Sequence, residues 1–84
     1  MRKPINFTCF APAAREVFLV GSFNQWQPQV MKRQPDGGWH LQAQLSHGHH
    51  QYLFLIDGTP TIDQRAQGIV RNEKNERVSL IAVS

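Results

Sequence analysis

Trp26 is the residue best placed to do chemistry, because it lies in a polar loop (residues 24–28) directly after a β-branched and aromatic run. The run, Val17–Val20, predicts a buried strand, and Gly21 predicts the turn that ends it. An aromatic ring in such a loop can stack on the flat, apolar face of a ligand, or it can cap one end of the core. From its surroundings in the sequence, Trp26 fits either role.

Three histidines close together, His47, His49 and His50, raise the possibility of a metal site. Adjacent residues of a strand point to opposite faces, so His49 and His50 cannot both face one ion from a strand. No second group of Cys or His residues follows at the spacing that zinc sites use. The sequence therefore predicts a solvated turn here, with no metal and no cofactor.

The remaining reactive residues do not form a pattern typical of a catalytic site. Cys9 lies within an alternating strand, which predicts a small buried side chain rather than a nucleophile. No Gly-x-Ser-x-Gly elbow or glycine-rich phosphate loop is present. Asp36 and Asp57 begin Asp-Gly turns, where a carboxylate usually bonds its own backbone. We therefore expect a protein that is not an enzyme and has no catalytic residue.

Length and composition fit one small globular domain. The chain has 84 residues, of which 40% are hydrophobic and 18% charged, and its net charge is +3. Basic and acidic residues alternate near the C-terminus, without the dense basic stripe typical of nucleic-acid binders. The N-terminus has no apolar segment of the kind found in signal peptides, and no run is long enough to span a membrane. Together with the single cysteine, this predicts a cytoplasmic location, with no nucleic-acid or membrane partner.

Short alternating segments separated by turns predict an all-β fold. Ile5, Phe7 and Cys9 share one face of a first strand, which should end before Pro12. A short strand is expected at 30–33, a tight Asp-Gly turn at 36–37, and an alternating strand at 39–45 that buries Trp39.

The second half of the chain continues the same pattern. Residues 51–56 form a nearly continuous apolar strand, with Tyr52 predicted in the core, and Asp57-Gly58 closes another tight hairpin. Pro60 predicts that the next strand is short or at an edge. Residues 63–76 are polar and aperiodic, which predicts a long surface loop, and 77–83 form a last strand. About seven strands without a convincing helix predict an antiparallel β-sandwich.

Several motifs together resemble the glycogen-binding modules, known as carbohydrate-binding module family forty-eight. This family includes modules of the AMP-activated kinase β subunit and N-terminal domains of isoamylases and branching enzymes. The resemblance runs from Glu16 to Val83 and implies that residues 1–84 form a single immunoglobulin-like (early-set) sandwich. It rests on Gly21-Ser22-Phe23-Asn24-Gln25-Trp26, Met31, Asp36-Gly37-Gly38-Trp39, Gly48-His49-His50-Gln51-Tyr52-Leu53-Phe54, Ile56-Asp57-Gly58 and Asp63.

The resemblance also implies a site for α-1,4-glucan of the glycogen or starch type. Trp26, with Asn24 and Gln25 beside it, matches the first tryptophan of the family's sugar platform. Leu53 stands where the family has a lysine, and Pro60 stands where it has a second tryptophan. Ser79 lies next to the position of the family's asparagine at the start of the last strand. With one platform residue of four clearly retained, we expect non-catalytic and weak glucan binding.

A second interpretation assigns the chain to protein interaction. If Tyr52, Phe54 and Ile56 face the core, Leu53 and Leu55 emerge on the opposite face, unless neighbouring strands and the 63–76 segment cover them. An apolar patch there would favour contact with a glycan-metabolising enzyme or with a second copy of the chain. In that case the sandwich would have lost its sugar site and would serve as an interaction or oligomerisation domain.

Overall fold

Nine antiparallel strands make up two sheets in the computed structural model, which describes all of residues 1–84. The strands are Arg2–Phe10 (β1), Val17–Gly21 (β2), Gln29–Val30 (β3), Lys32–Arg33 (β4), Gly38–Ser46 (β5), Gly48–Ile56 (β6), Thr59–Thr61 (β7), Gly68–Arg71 (β8) and Arg77–Val83 (β9), with one 3-10 turn at Ser22–Asn24. The smaller sheet has the order β1-β5-β4. The larger has the order β3-β2-β6-β9-β8, and β7 pairs with β6. The predicted all-β, immunoglobulin-like sandwich is confirmed.

Two predicted elements differ from the observed ones. The strand expected at 30–33 is two short strands in different sheets, because the chain crosses between the sheets at Met31, which is 2% exposed. The long loop expected at 63–76 is wrong in part, because it contains β8. A strand is recognised in the sequence when apolar and polar residues alternate. In β8 this alternation is not visible, because Gly68 has no side chain and the apolar Ile69 is 39% exposed.

The core lies between the inner faces of the two sheets and is rich in aromatic side chains. The Phe7 ring packs edge-on against the Tyr52 ring, with 5.0 Å between centroids, and Tyr52 packs edge-on against Phe54 at 5.9 Å. The prediction that Trp39 and Tyr52 are core residues is confirmed. The buried core cluster consists of Phe7, Ala14, Val17, Leu19, Met31, Trp39, Leu45, Tyr52, Phe54 and Val83.

Strand β6 is the centre of the larger sheet and decides which residues face outward. Its residues Tyr52 and Phe54 are buried, whereas Leu53 and Leu55 are half-buried on the outer face. Because Tyr52 pairs with Ser79, the residues of β9 that face inward are Ser79, Ile81 and Val83. The outer face is therefore the side of the sheet on which a ligand or partner could meet Leu53.

Three turns fix the ends of these strands. Asp36 Oδ1 accepts a hydrogen bond of 2.9 Å from the Gly38 amide, as the Asp-Gly pattern predicts. Asp57 differs, because its Oδ1 accepts bonds of 2.9 Å from the amides of Arg15 and Glu16. The expectation that Asp57 bonds its own turn is therefore wrong. Its carboxylate ties the β6–β7 hairpin to the segment before β2.

No helix of the structure is long and apolar enough to cross a membrane. No three His, Cys, Asp or Glu side chains lie together as a metal ion would require. Cys9 is a free, half-buried thiol, and burial together with the nearby Asp63 carboxylate raises its pKa.

Candidate functional site

Trp26 lies at the end of a short, hydrogen-bonded loop that follows β2. The Gly21 carbonyl accepts a bond of 2.9 Å from the Trp26 amide, and Asn24 Oδ1 accepts one of 3.0 Å from the Gly21 amide. Ser22 Oγ accepts a bond of 3.1 Å from the Gln51 amide, which joins the loop to β6. These bonds fix the backbone of the loop that carries Trp26, and the Trp26 residue is 40% exposed.

The backbone of this loop is strained at two successive positions. Gln25 has φ of 56° and Trp26 has φ of 58°, both in the left-handed region that non-glycine residues rarely adopt. Each such residue costs on the order of 1 kcal/mol, and such strain tends to collect at functional sites. The two residues lie in the loop between β2 and β3, and Trp26 lines a groove on the outer face.

An open groove of about 560 Å³ begins at Trp26 and runs over the outer face of the larger sheet. Gln51 and Leu53 of β6 line its middle, and the β8–β9 hairpin lines its far side. The Gln51 backbone amide is bonded to Ser22 Oγ, which fixes the strand at this point, and the Gln51 residue lines the groove. A groove of this volume is within the range of small-molecule sites.

The β8–β9 hairpin is built around the side chain of Asn72. Its Oδ1 accepts bonds from the amides of Lys74, at 3.0 Å, and Glu76, at 2.9 Å. Arg71 adds a bond of 2.9 Å to the Asn75 carbonyl. The Asn72 amide oxygen is therefore occupied within the hairpin. Asn72 shapes the wall of the groove and is not a free partner for a ligand.

Four charged side chains of this hairpin line the groove, two cationic and two anionic: Arg71, Lys74, Glu73 and Glu76. Both carboxylates come from the same side of the groove and do not face each other across it, as a pair for glycoside hydrolysis would. The balanced charge suits a neutral, hydroxyl-rich ligand better than an ion. Carboxylates accept hydrogen bonds from hydroxyl groups, and ammonium and guanidinium groups donate to them.

The residues singled out in the sequence are divided between the groove and its surroundings. Trp26 and Leu53 line the groove. Asn24 is half-buried and bonds Gly21, while Gln25 is exposed outside the lining. Pro60 is exposed on β7 opposite Leu55 and also lies outside it.

Ser79 is not brought to the groove at all. It is fully buried on the inner face, where its hydroxyl accepts a bond of 2.7 Å from the Asp63 amide. Asp63 Oδ2 in turn accepts a bond of 2.6 Å from the Tyr52 hydroxyl. Burial and this carboxylate raise the pKa of Tyr52 well above its ordinary value. Ser79 belongs to this internal network and cannot reach a ligand on the outer face.

Sequence reasoning did not place the charged hairpin residues in the site. The signal was the turn-forming run of Asn, Glu and Lys at 72–76, which predicts a tight hairpin once β8 is recognised. Because β8 was hidden in an apparent loop, nothing in the sequence linked this turn to Trp26.

A model of the glycogen recognition site of AMP-activated protein kinase matches residues 4–84 of the chain. The β-1 subunit of 5'-AMP-activated protein kinase from Sus scrofa is 41% identical over 49 residues, which are 58% of this chain and 39% of the subunit. The 1,4-alpha-glucan branching enzyme of Lactobacillus acidophilus is 36% identical over 52 residues, which are 61% of this chain and 8% of the enzyme.

Structural comparison supports the same fold. The chain superposes on apo pullulanase from Paenibacillus barengoltzii with a TM-score of 0.60 and 24% identity, covering 90% of this chain and 13% of the pullulanase. The chain thus spans well under half the length of each of these three proteins. Because the family model covers nearly every residue, the chain belongs to the family of glycogen recognition sites of AMP-activated protein kinase, a family of carbohydrate-binding modules.

Proposed function

We propose that this domain binds α-1,4-glucan, of the glycogen or starch type, in the groove beside Trp26 and without catalysing a reaction. The observation that carries the proposal is the half-exposed Trp26 ring at one end of an open groove lined by polar side chains. A glucose ring offers an apolar face that stacks on an indole, and its hydroxyls need hydrogen-bond partners. Gln51, Lys74 and Glu73 supply such partners around the groove.

We expect the affinity to be weak, because the groove has a single exposed aromatic ring. Two spaced aromatic rings bind successive sugars of one chain, and the second contact gains from the first. Leu53 in the middle of the groove offers no hydrogen bond, so a hydroxyl placed over it would lose its water without replacement. A dissociation constant of about 0.1 to 1 mM for a short maltooligosaccharide corresponds to about 4 to 5.5 kcal/mol.

The proposal is tested by affinity electrophoresis through native gels with and without glycogen. Wild type should be retarded by glycogen, and Trp26→Ala should migrate alike in both gels. Phe10→Ala is the matched control, since Phe10 is 71% exposed but lies on β1, away from the groove. Equal mobility of the wild type in both gels would contradict glucan binding by this chain. Equal loss in both variants would contradict the role of Trp26.

A second candidate function, protein docking, is favoured by a row of apolar side chains next to the groove. Val30, Phe18, Leu55 and Pro60 are direct cross-strand neighbours on the outer face, on four successive strands. Val30 is 65% exposed, and the strands do not cover Leu55 fully. The partner we favour is a glucan-metabolising enzyme, because the branching-enzyme and pullulanase relatives carry a similar segment within far longer chains.

The two candidates predict different results for one substitution. Leu55→Lys places a charge in the apolar row without touching the groove, so it should abolish docking and leave glycogen retardation unchanged. The readout is co-elution of the domain with glycogen branching enzyme in size-exclusion chromatography. No co-elution of the wild type would contradict docking to this enzyme.

A cytoplasmic location stays a prediction from the sequence.

A further inference from the structure

The turn between β8 and β9 is centred on one residue, Asn72. Its backbone amide donates to the Glu76 carbonyl at 2.9 Å, and its carbonyl accepts from the Asn75 amide at 2.9 Å. Its side-chain Oδ1 accepts from the amides of Lys74, at 3.0 Å, and Glu76, at 2.9 Å. Its side-chain Nδ2 donates to Glu76 Oε1 at 3.4 Å. All four polar groups of Asn72 therefore bond to other residues of the same turn.

The turn depends on these bonds for a defined shape. Glu73, Lys74 and Asn75 are all exposed, and exposed turns are ordinarily among the mobile parts of a fold. Asn75 has φ of 64°, in the left-handed region that costs free energy for a residue other than glycine. An asparagine side chain that accepts bonds from backbone amides further along the chain is a common way to stabilise such a turn.

The ordered turn carries two neighbouring side chains of opposite charge, Glu73 and Lys74, into the lining of the groove. The bond from Lys74 to Asn72 uses the backbone amide and leaves the ammonium group out of the network. A carboxylate accepts bonds from sugar hydroxyls and an ammonium group donates to them. Long side chains lose conformational freedom when they bind a ligand, and a backbone that is already ordered reduces this cost.

We propose that Asn72 is a positioning residue of the glucan site, which holds Glu73 and Lys74 at the groove before the sugar arrives. This role rests on the proposed function, because it concerns the same groove. Asn72 acts through the turn and not by direct contact with the sugar, since its Oδ1 already accepts two bonds. The turn built around Asn72 thus supplies the polar half of the site, and Trp26 supplies the apolar half.

The first test is titration of the ¹⁵N-labelled protein with maltoheptaose, followed by the Trp26 indole signal. Asn72→Ala should weaken binding about 5-fold, which corresponds to about 1 kcal/mol, because the turn must then be ordered during binding. Asn72→Asp keeps the acceptor for both backbone amides and should recover most of that loss. Asn75→Gly is the matched control, with the affinity of wild type, because Asn75 does not line the groove and glycine adopts a positive φ without strain.

The outcomes separate this role from the proposed function. A wild type whose Trp26 signal does not move overturns glucan binding, and the role of Asn72 with it. A wild type that binds, with equal affinity in Asn72→Ala, overturns the role of Asn72 alone. The Trp39 indole signal reports whether each variant is folded, since Trp39 is buried in the core. If Asn72→Ala does not fold, Asn72→Ser replaces it, and binding equal to wild type overturns the role in the same way.

A double-mutant cycle distinguishes positioning from a general effect on the fold. In a background with both Glu73→Ala and Lys74→Ala, no charged side chain is left at these positions for Asn72 to hold. Asn72→Ala should therefore change the affinity for maltoheptaose by less than about 2-fold in this background. The same loss of about 5-fold in both backgrounds overturns the proposal.

A last test needs no ligand. Heteronuclear ¹⁵N NOE values of the Glu73, Lys74 and Asn75 amides measure the order of the turn on the picosecond-to-nanosecond timescale. The three values should be as high as those of β9 in wild type and Asn72→Asp, and clearly lower in Asn72→Ala. Unchanged values in Asn72→Ala would show that the turn is ordered without this side chain, which overturns the proposal whether or not glucan binds.

Discussion

Removing the Tyr52 hydroxyl should destabilise the domain through one hydrogen bond to a carboxylate. Tyr52 is 3% exposed, and its hydroxyl donates to Asp63 Oδ2 at 2.6 Å. Hydrogen bonds to charged acceptors contribute about 1.5 to 3 kcal/mol to folding stability. Because Asp63 is only half-buried, water can take the place of the missing hydroxyl and recover part of that energy. Tyr52→Phe should therefore cost about 2 kcal/mol, which is about 12 °C in melting temperature for a domain of this size.

Urea unfolding followed by circular dichroism measures this cost, and a double-mutant cycle assigns it to the bond. In an Asp63→Asn background the acceptor is uncharged, so Tyr52→Phe should cost less than half as much. A loss below about 0.5 kcal/mol in the wild-type background, or equal losses in both backgrounds, would refute the reasoning.

Burial of Tyr52, together with its bond to Asp63, predicts a pH dependence of stability at the alkaline side. The pKa of Tyr52 is raised in the folded protein, so the folded state favours the neutral phenol. Its contribution is complete below the ordinary tyrosine pKa of about 10 and is lost progressively as the pH rises above that value. The free energy of unfolding of the wild type should therefore fall more steeply above about pH 10 than that of Tyr52→Phe. Parallel curves would contradict the shift.

Three further substitutions probe the loop, a turn and the groove. Gly21→Ala places a Cβ 2.8 Å from the Gln51 carbonyl oxygen, so it should cost about 1 to 3 kcal/mol in urea unfolding; a neutral effect would contradict the close approach. Asp57→Ala loses two hydrogen bonds and Asp36→Ala loses one, so the melting temperature should fall further in Asp57→Ala. The reverse order would contradict the role of Asp57 in joining the β6–β7 hairpin to the segment before β2. Leu53→Lys adds a donor inside the groove, so maltoheptaose should bind about 3- to 10-fold tighter by calorimetry, and unchanged binding would show that the groove is not the site.

The sandwich could be predicted from the sequence because its determinants are local. Alternation placed Phe7, Trp39 and Tyr52 in the core, and the Asp-Gly pairs marked two hairpins. Strand β8 was missed because Gly68 and an exposed Ile69 conceal its alternation. Short strands with few buried residues give too weak a pattern to recognise one by one.

The site could be predicted only in part, because it depends on tertiary position. Trp26 and Leu53 were identified, but the charged hairpin opposite them was not. Ser79 is close to the expected position along the chain, yet the register of β9 against β6 turns its hydroxyl inward. A shift of one residue in register moves every side chain of a strand to the other face, and no local pattern fixes that register.

The central claim, glucan binding at Trp26, is tested most directly by titrating the ¹⁵N-labelled protein with maltoheptaose and following the indole signals by NMR. The chain has two tryptophans, and Trp39 is an internal reference, because it is 5% exposed and its indole N–H donates to the Ala11 carbonyl. We predict that the Trp26 indole and the Gln51 side-chain amide shift together with one saturation curve, while the Trp39 indole stays in place. An unmoved Trp26 signal at saturating maltoheptaose would contradict the account.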